Sequence, residues 1–211
     1  MLNYHDAVIY ETDANLFLGS NWLNDSCINF YFRYLEHCIF PDKENILFLD
    51  PAVVSFMMLQ CSEEDEIEEL KIGLQLNEKK IMFIPVNDNR SFQSGSTHWS
   101  LLVYLAEDHI FLHFDSSRNH NYDVALAVAE KFALVVGAEG PAEVTKVDCP
   151  QQENGYDCGM YVILNAHAFT SAFLEGNDPI EQIESTMKPS YVSQQRLCIH
   201  AILEELLSTV T

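Results

Sequence analysis

The spacing of apolar residues predicts helices in the first third of the chain. The segment Asn24-Asp25-Ser26 offers helix caps, and the apolar residues after it recur at helical spacing, so a helix is expected over about residues 25–38. Asp50-Pro51 repeats this start signal ahead of a second, short helix. The segment 62–69 holds six acidic residues in eight positions and is expected to be a solvated helix face or a loop.

The pattern in the middle of the chain predicts β-structure. Three short runs rich in branched and aromatic residues, 81–86, 98–105 and 110–114, predict strands of a small central sheet. The polar segment 87–96 between the first two runs is too long for a tight hairpin loop. Loops of this kind often contain functional residues.

The last third of the chain returns to helices after one more strand. Residues 124–136 are apolar at helical spacing and end at Gly137, as a C-terminal glycine predicts. A strand is expected over about 143–147, followed by a long buried helix that begins at Cys158. Two further helices are expected, over about residues 179–187 and 190–207.

These elements predict one α+β domain that spans residues 1–211. A small mixed or antiparallel sheet is expected at its centre, with helices on either side and Cys158 at the start of a central helix. The apolar run and basic leader of a membrane or secretory segment do not occur in the sequence, so we expect a soluble protein.

Charge narrows the range of partners. The chain has 32 acidic and 11 basic residues, a formal net charge of −21, which opposes binding to nucleic acid or to an anionic membrane. A basic protein partner fits this charge, and so does a plain role in solubility. The six cysteines are scattered without a C-x-x-C pair, so we expect reduced thiols in the cytoplasm or nucleus, with neither a zinc site nor a disulfide framework. We also expect that the protein needs no metal or cofactor.

Cys158 is a candidate nucleophile. A thiolate is the reactive form of cysteine, and a helix N-terminus beside an imidazolium favours it. Gly159 would leave room for a substrate, and Gly155 would give the preceding loop conformational freedom. Taken alone, a cysteine at a helix start is more often a buried structural residue than a nucleophile.

A base and an orienting acid can be placed in the same sheet. His98 begins one predicted strand and Asp115 ends the next, so antiparallel pairing would bring them together. The Asp115 carboxylate would accept a hydrogen bond from one imidazole nitrogen, and the other nitrogen would take the thiol proton. A side-chain amide just before Cys158 could stabilise the oxyanion; Gln152 and its neighbour Gln151 are both candidates.

Four segments with these residues resemble the Ulp/sentrin-specific protease family, which are papain-like cysteine proteases that process ubiquitin-like modifiers. They are W-L-N-D at 22–25, T-H-W-S-L-L-V-Y at 97–104, F-D-S at 114–116 and P-Q-Q-E-N-G-Y-D-C-G-M-Y-V at 150–162. The resemblance covers about residues 15–200. It implies a papain-like fold and assigns the oxyanion role to Gln152, six residues before Cys158.

The resemblance also implies substrate-binding roles for Trp22, Asp25 and Trp99. Tryptophans at these positions of the family form a narrow tunnel that admits only a Gly-Gly tail, and flat indole faces suit that purpose. Without the resemblance, we would expect Trp22 and Trp99 to be core residues.

The loop before His98 is similar to the deneddylase branch of the family, in which a comparable insertion begins N-D-N. We therefore expect a deneddylase, a monomer that releases the neddylation modifier from conjugates such as cullins. A desumoylating protease is the alternative, ahead of a deubiquitinase, a general peptidase or a non-catalytic binding module. Ser96, Glu153 and Gly155 depart from the branch pattern.

Overall fold

The computed structural model describes residues 1–61, 63–89, 95–138 and 140–209. They belong to two compact units. The first, which we name the helical unit, comprises Met1–Asp42, Ser116–Arg118 and Asp148–Thr211. The second, the sheet unit, comprises Lys43–Asp115 and Asn119–Val147.

The helices and strands follow one another along the chain in an α+β pattern. In order they are β1 (Leu2–Tyr4), β2 (Ala7–Ile9), α1 (Glu11–Ala14), α2 (Asp25–Tyr34), β3 (Ile46–Phe48), α3 (Pro51–Leu59), α4 (Glu64–Gly73), β4 (Ile81–Asn87), β5 (Trp99–Leu105), β6 (Ile110–Phe114), α5 (Tyr122–Val136), β7 (Glu143–Lys146), α6 (Cys158–Glu175), α7 (Pro179–Thr186) and α8 (Pro189–Ser208).

A mixed five-stranded sheet forms the centre of the sheet unit. Its strands lie in the order β3-β4-β5-β6-β7; the two inner pairings are antiparallel and the two outer pairings are parallel. The predicted small mixed sheet is therefore confirmed. Leu102, Tyr104 and Phe111 from one face of the sheet pack with Val128 and Phe132 of α5 in a buried apolar core, so α5 covers that face.

In the sheet unit, the residues predicted to start α3 and to end α5 do so. The Asp50 side chain accepts a hydrogen bond from the Ala52 backbone N–H, and Pro51 occupies the first turn of α3. At the other end of the unit, α5 stops at Gly137, which has a positive φ of 71°. The left-handed backbone at this position strains any residue with a Cβ atom.

In the helical unit, α6 is the long buried helix that the apolar pattern predicts. Thirteen of its 18 residues are buried, beginning with Cys158 itself. The helix α2 is capped by Asn24, whose side chain accepts a hydrogen bond from the Cys27 backbone N–H at 3.0 Å. It is shorter than predicted, because the chain changes to a π-helical turn over Leu35–Ile39.

Several short elements are not predicted by the sequence pattern. The strands β1, β2 and β3 have three residues each, too few for an alternation to be visible, and α1 has four. Residues 64–69 of the acidic segment lie in helix α4, and Glu63 is its N-cap residue; Ser62 is outside the described residues. Residues 90–94 of the predicted loop are also outside them.

Two properties of the described residues bear on function. No helix among them has both the length and the apolar character needed to span a bilayer. Within the same residues, histidine, cysteine and carboxylate side chains do not gather in groups of three or more that could bind a metal ion.

We predict that Gly137→Ala lowers the free energy of unfolding by about 1–2 kcal/mol, because alanine must adopt a left-handed backbone. Gly73→Ala is the matched control, since Gly73 ends α4 with an ordinary φ and with open space around it in the described part of the chain. That change should be neutral or stabilising by up to about 1 kcal/mol. Urea unfolding of both variants tests this, and equal effects would contradict the role of Gly137.

Candidate active site

His98 and Asp115 form a buried hydrogen-bonded pair in the sheet unit. His98 lies one residue before β5 and Asp115 one residue after β6, so the antiparallel pairing of these strands brings their side chains together. His98 Nε2 lies 2.7 Å from Asp115 Oδ1, and the residues are 5% and 2% exposed. The predicted hydrogen bond is confirmed. Because Nε2 faces the carboxylate, Nδ1 is the nitrogen that a general base would use.

The Asp88 side chain binds the backbone of His98 and of the residue before it. Its Oδ1 accepts hydrogen bonds from the backbone N–H groups of Thr97 at 2.7 Å and His98 at 3.0 Å, and its Oδ2 accepts one from the Thr97 hydroxyl. Burial raises the pKa of the Asp88 carboxyl, but these hydrogen bonds outweigh it, so the pKa lies below its ordinary value. Asp88, which follows β4 directly, is therefore ionised and connects the end of this strand to His98 through a charged hydrogen bond.

A second buried histidine lies near the pair. His113 of β6 is fully buried, and its Nε2 lies 3.0 Å from the hydroxyl oxygen of Ser100. Burial lowers the pKa of His113 to about 4; Asp115 opposes this shift, while His98 and Lys146 add to it. His113 is therefore neutral at physiological pH and puts no second positive charge beside His98.

Cys158 is the first residue of α6 in the helical unit and is 3% exposed. The residue before it, Asp157, is bound by the buried guanidinium of Arg196, with 2.6 Å between Arg196 Nε and Asp157 Oδ1. The same guanidinium donates to the backbone carbonyl groups of Leu16, Asn21 and Tyr156. Arg196 thus connects α8 to the residues just before α6.

The two candidate glutamines have different surroundings. Gln151 uses both ends of its amide locally, since its Oε1 accepts from the Arg118 backbone N–H and its Nε2 donates to the Cys149 carbonyl. Gln152 Oε1 accepts from the Ser116 hydroxyl at 2.8 Å, and its Nε2 donates to the Asn154 carbonyl at 2.6 Å. An amide Nε2 has two hydrogens, so one bond to Asn154 leaves a second donor.

Trp22 is a surface residue and not the core residue that would be expected without the family resemblance. Its side chain is 51% exposed, and its indole N–H donates to the Gly155 carbonyl at 2.6 Å. Trp22 therefore fixes the loop that leads to Cys158. Asp25 is exposed in the first turn of α2.

The two glycines of the cysteine segment have different surroundings. A Cβ atom on Gly159 would lie 2.9 Å from Leu23 Cβ, so packing against Leu23 requires a glycine at this position. Gly155 does not have a left-handed backbone, and a Cβ atom added to it would meet no heavy atom of the described residues within 4 Å. A side chain would fit at Gly155, and the backbone conformation there does not itself require a glycine.

Trp99 is buried in the sheet unit, with 5% exposure. It borders a cavity of about 280 Å³. Apolar walls come from Val54 and Met58 of α3 and Val128 of α5, while Asn87 and Asn89 contribute polar groups; all of these residues belong to the sheet unit. The cavity has room for an apolar side chain beside Trp99.

The predicted site residues are thus divided between the units. The sheet unit contains His98, Trp99 and Asp115, and the helical unit contains Trp22, Asp25, Gln152 and Cys158. The structure adds Asp88 and Arg196, which hold His98 and the segment before Cys158 in place. The sequence could not have identified them, because Arg196 contacts residues as far as 180 positions away and Asp88 bonds across a loop.

We predict that Arg196→Met costs about 3–5 kcal/mol of stability, because the Asp157 carboxylate would remain buried without its cation. The matched control is Arg33→Met, which removes a partly exposed ion pair with Glu36 and should cost less than about 1 kcal/mol. Urea unfolding measures both changes. A cost for Arg196→Met as small as that of the control would contradict the proposed role of the cation.

We also predict a contribution of His113 to acid sensitivity. Its pKa is lowered in the folded state, so the unfolded state binds the proton first, and stability falls as the pH drops from about 6.5 to about 4. The fall should amount to about 3 kcal/mol in total. His113→Gln should therefore lose about 2 kcal/mol less than the wild type between about pH 7 and pH 4.5.

Urea unfolding at the two pH values measures this difference. His109→Gln is the control, because His109 is exposed in the turn after β5. The same acid sensitivity in the wild type and in both variants would rule out His113 as the source.

Comparison with known proteins places the chain in a family. The profile of the Ulp1 protease family, C-terminal catalytic domain, matches residues 21–202. Sentrin-specific protease 8 of Homo sapiens is 35% identical over 199 residues, which cover 93% of this chain and 92% of that protein. NEDD8-specific protease 1 of Arabidopsis thaliana is 29% identical over 216 residues, covering 99% and 94%.

A solved structure shares the fold. The C-terminal Ulp1 protease domain in complex with Smt3, the yeast ortholog of SUMO, matches with a TM-score of 0.63 and 20% identity, covering 93% of this chain and 83% of that one. This match supports the predicted papain-like α+β fold. The family profile spans most of the sequence, and the human relative exceeds 30% identity over nearly its whole length. The chain is therefore a cysteine protease that belongs to the Ulp1 protease family.

Proposed function

We propose that this protease is a deneddylase, which hydrolyses the bond after the C-terminal Gly-Gly of NEDD8 in conjugates and in the precursor. The observation that carries the catalytic part of the proposal is the buried hydrogen bond of 2.7 Å between His98 Nε2 and Asp115 Oδ1. It orients an imidazole in the way that general acid–base catalysis requires. A protein that only binds the modifier has no need of such a pair.

Cys158 is the proposed nucleophile and His98 its base. The thiol gives its proton to His98 Nδ1, and Sγ attacks the carbonyl carbon of the terminal glycine. The C–N bond then breaks, and the imidazolium protonates the leaving amine. Water attacks the resulting thioester with His98 as base, which releases the modifier carboxylate and restores the thiol. Asp115 holds the imidazole in the required tautomer.

Gln152 is the proposed oxyanion donor. Its amide is held at both ends, by the Ser116 hydroxyl and the Asn154 carbonyl, so the second Nε2 hydrogen has a fixed direction. A donor fixed in advance stabilises developing negative charge without reorganisation. Gln151 is less suited to the role, because its Nε2 faces both the carbonyl oxygen of Cys149 at 2.8 Å and the sulfur of the same residue at 3.9 Å.

Trp22, Asp25 and Trp99 are proposed to bind the modifier tail. Indole surfaces on either side of a Gly-Gly segment would exclude residues with side chains. The exposed face of Trp22 and the cavity next to Trp99 support this assignment. The cavity would accept an apolar side chain of the tail upstream of the two glycines.

The preference for NEDD8 rests on the names of the relatives and on the N-D-N segment at the start of the loop before His98. Asp88 of this segment holds the His98 backbone, so the segment contributes to the active site directly. We further propose that both units form one catalytic domain, that the enzyme acts as a monomer in the cytoplasm or nucleus, and that neddylated cullins are among its substrates.

Electrophilic tail probes test the choice of modifier. Matched probes for NEDD8, SUMO and ubiquitin would be reacted with the wild type, and covalent adducts measured by intact mass. We expect the NEDD8 probe to react at least about tenfold faster than the others, a difference of about 1.4 kcal/mol in activation free energy. Faster reaction with the SUMO probe would instead establish a desumoylating protease.

Cysteine variants test the nucleophile. Cys158→Ala should abolish both the NEDD8 adduct and the cleavage of a reporter fused to the NEDD8 C-terminus, because the attacking atom is removed. Cys198→Ala removes an exposed thiol and is the control, which should retain both. An adduct on Cys158→Ala would exclude this residue as the nucleophile.

A further inference from the structure

Asn121 contacts both members of the His98–Asp115 pair. Its backbone N–H donates to Asp115 Oδ2 at 2.9 Å, while Asp115 Oδ1 faces His98 Nε2. The Asn121 side-chain amide donates to the backbone carbonyl of the same histidine, with 3.2 Å between Nδ2 and the oxygen. One residue thus binds the carboxylate with its main chain and the histidine backbone with its side chain, which closes a ring of hydrogen bonds.

The side chain of Asn121 has only one sensible orientation. Nδ2 faces two backbone carbonyls, of His98 and of Val86 at 3.5 Å. The opposite orientation of the amide would place Oδ1 against these two oxygens. Asn121 is 1% exposed, and Oδ1 is buried without a hydrogen-bond partner among the described residues. The cost of burying that oxygen indicates that the donor end is what the position requires.

The place of Asn121 in the fold makes it a rigid support. It caps the N-terminus of α5, and its carbonyl accepts the Ala125 backbone N–H at 2.8 Å. The helix packs on the sheet through its buried face, so the position of Asn121 is fixed by the core. His98, by contrast, precedes β5 and follows a long loop. A contact with Asn121 transfers the rigidity of the core to this residue.

We propose that Asn121 is a positioning residue for catalysis, which fixes the His98 imidazole against the Asp115 carboxylate. Asp88 binds the N–H of His98 and Asn121 binds its carbonyl, so side chains hold both backbone groups of the histidine. This inference rests on the proposed role of His98 as the general base. A loss of alignment of about 1 Å at a catalytic group can lower the rate about 100-fold.

Three substitutions separate hydrogen-bond donation from the filling of space. Asn121→Ala removes the donor, Asn121→Ser retains a short one, and Asn121→Asp keeps the shape but puts a carboxylate against two carbonyl oxygens. We expect kcat for the NEDD8 reporter to fall about 10- to 100-fold in Asn121→Ala, with KM changed less than about threefold. Asn121→Ser should recover part of the loss, and Asn121→Asp should be no better than Asn121→Ala.

A second readout is independent of substrate. The proton of an imidazole N–H bound to a buried carboxylate gives a low-field NMR signal, and we expect this signal for His98 Nε2 in the wild type. In Asn121→Ala, its exchange with water should be at least about tenfold faster, because the ring is held less firmly. The wild type could show this signal, and Asn121→Ala the faster exchange, while the wild type cleaves no modifier reporter. In that case the deneddylase proposal fails, but Asn121 still positions the His98 imidazole.

Asn165→Ser is the matched control. Asn165 is another buried amide, 2% exposed, in the helical unit, and its substitution should lower stability without altering the His98 signal. All variants are assayed at a temperature at which urea unfolding curves show them to be fully folded. Wild-type kcat in folded Asn121→Ala or in folded Asn121→Asp would overturn the proposal.

Discussion

The buried guanidinium of Arg196 is the interaction on which the helical unit depends. Four of its hydrogen bonds reach the Asp157 carboxylate and three backbone carbonyls, from segments at both ends of the sequence. A planar group with five donors suits this task, because it can bind a carboxylate and several carbonyls at once. Through Asp157 it fixes the start of α6, and with it the backbone that presents Cys158. Trp22 acts on the same loop through Gly155.

In the sheet unit, smaller polar side chains fix the backbone around His98. His98 stands just outside β5, where the sheet no longer provides all of its backbone hydrogen bonds. Asp88 and Asn121 supply them instead. In both units, therefore, a buried polar side chain transfers the rigidity of a packed helix or sheet to a segment that contains a proposed catalytic group.

In the proposed mechanism, charge acts on the encounter with the substrate, and the fit of the modifier tail acts on cleavage. The net charge of −21 shapes the field that a modifier or its conjugate meets during encounter. The fit of a Gly-Gly tail and an upstream apolar side chain would decide which encounter leads to cleavage. His113 is neutral at physiological pH and adds no positive charge of its own beside His98 and Asp115.

The sequence by itself determined the α+β class, most helices and the long strands, because each of these elements is long enough to show a recognisable apolar periodicity. It also indicated that His98 and Asp115 would meet, since adjacent antiparallel strands bring the start of one beside the end of the next. Only the tertiary structure decided the three-residue strands, the packing of Gly159 on Leu23 and the roles of Asp88, Asn121 and Arg196. These depend on atoms far apart in the chain or separated by loops, and periodicity contains no information about such contacts.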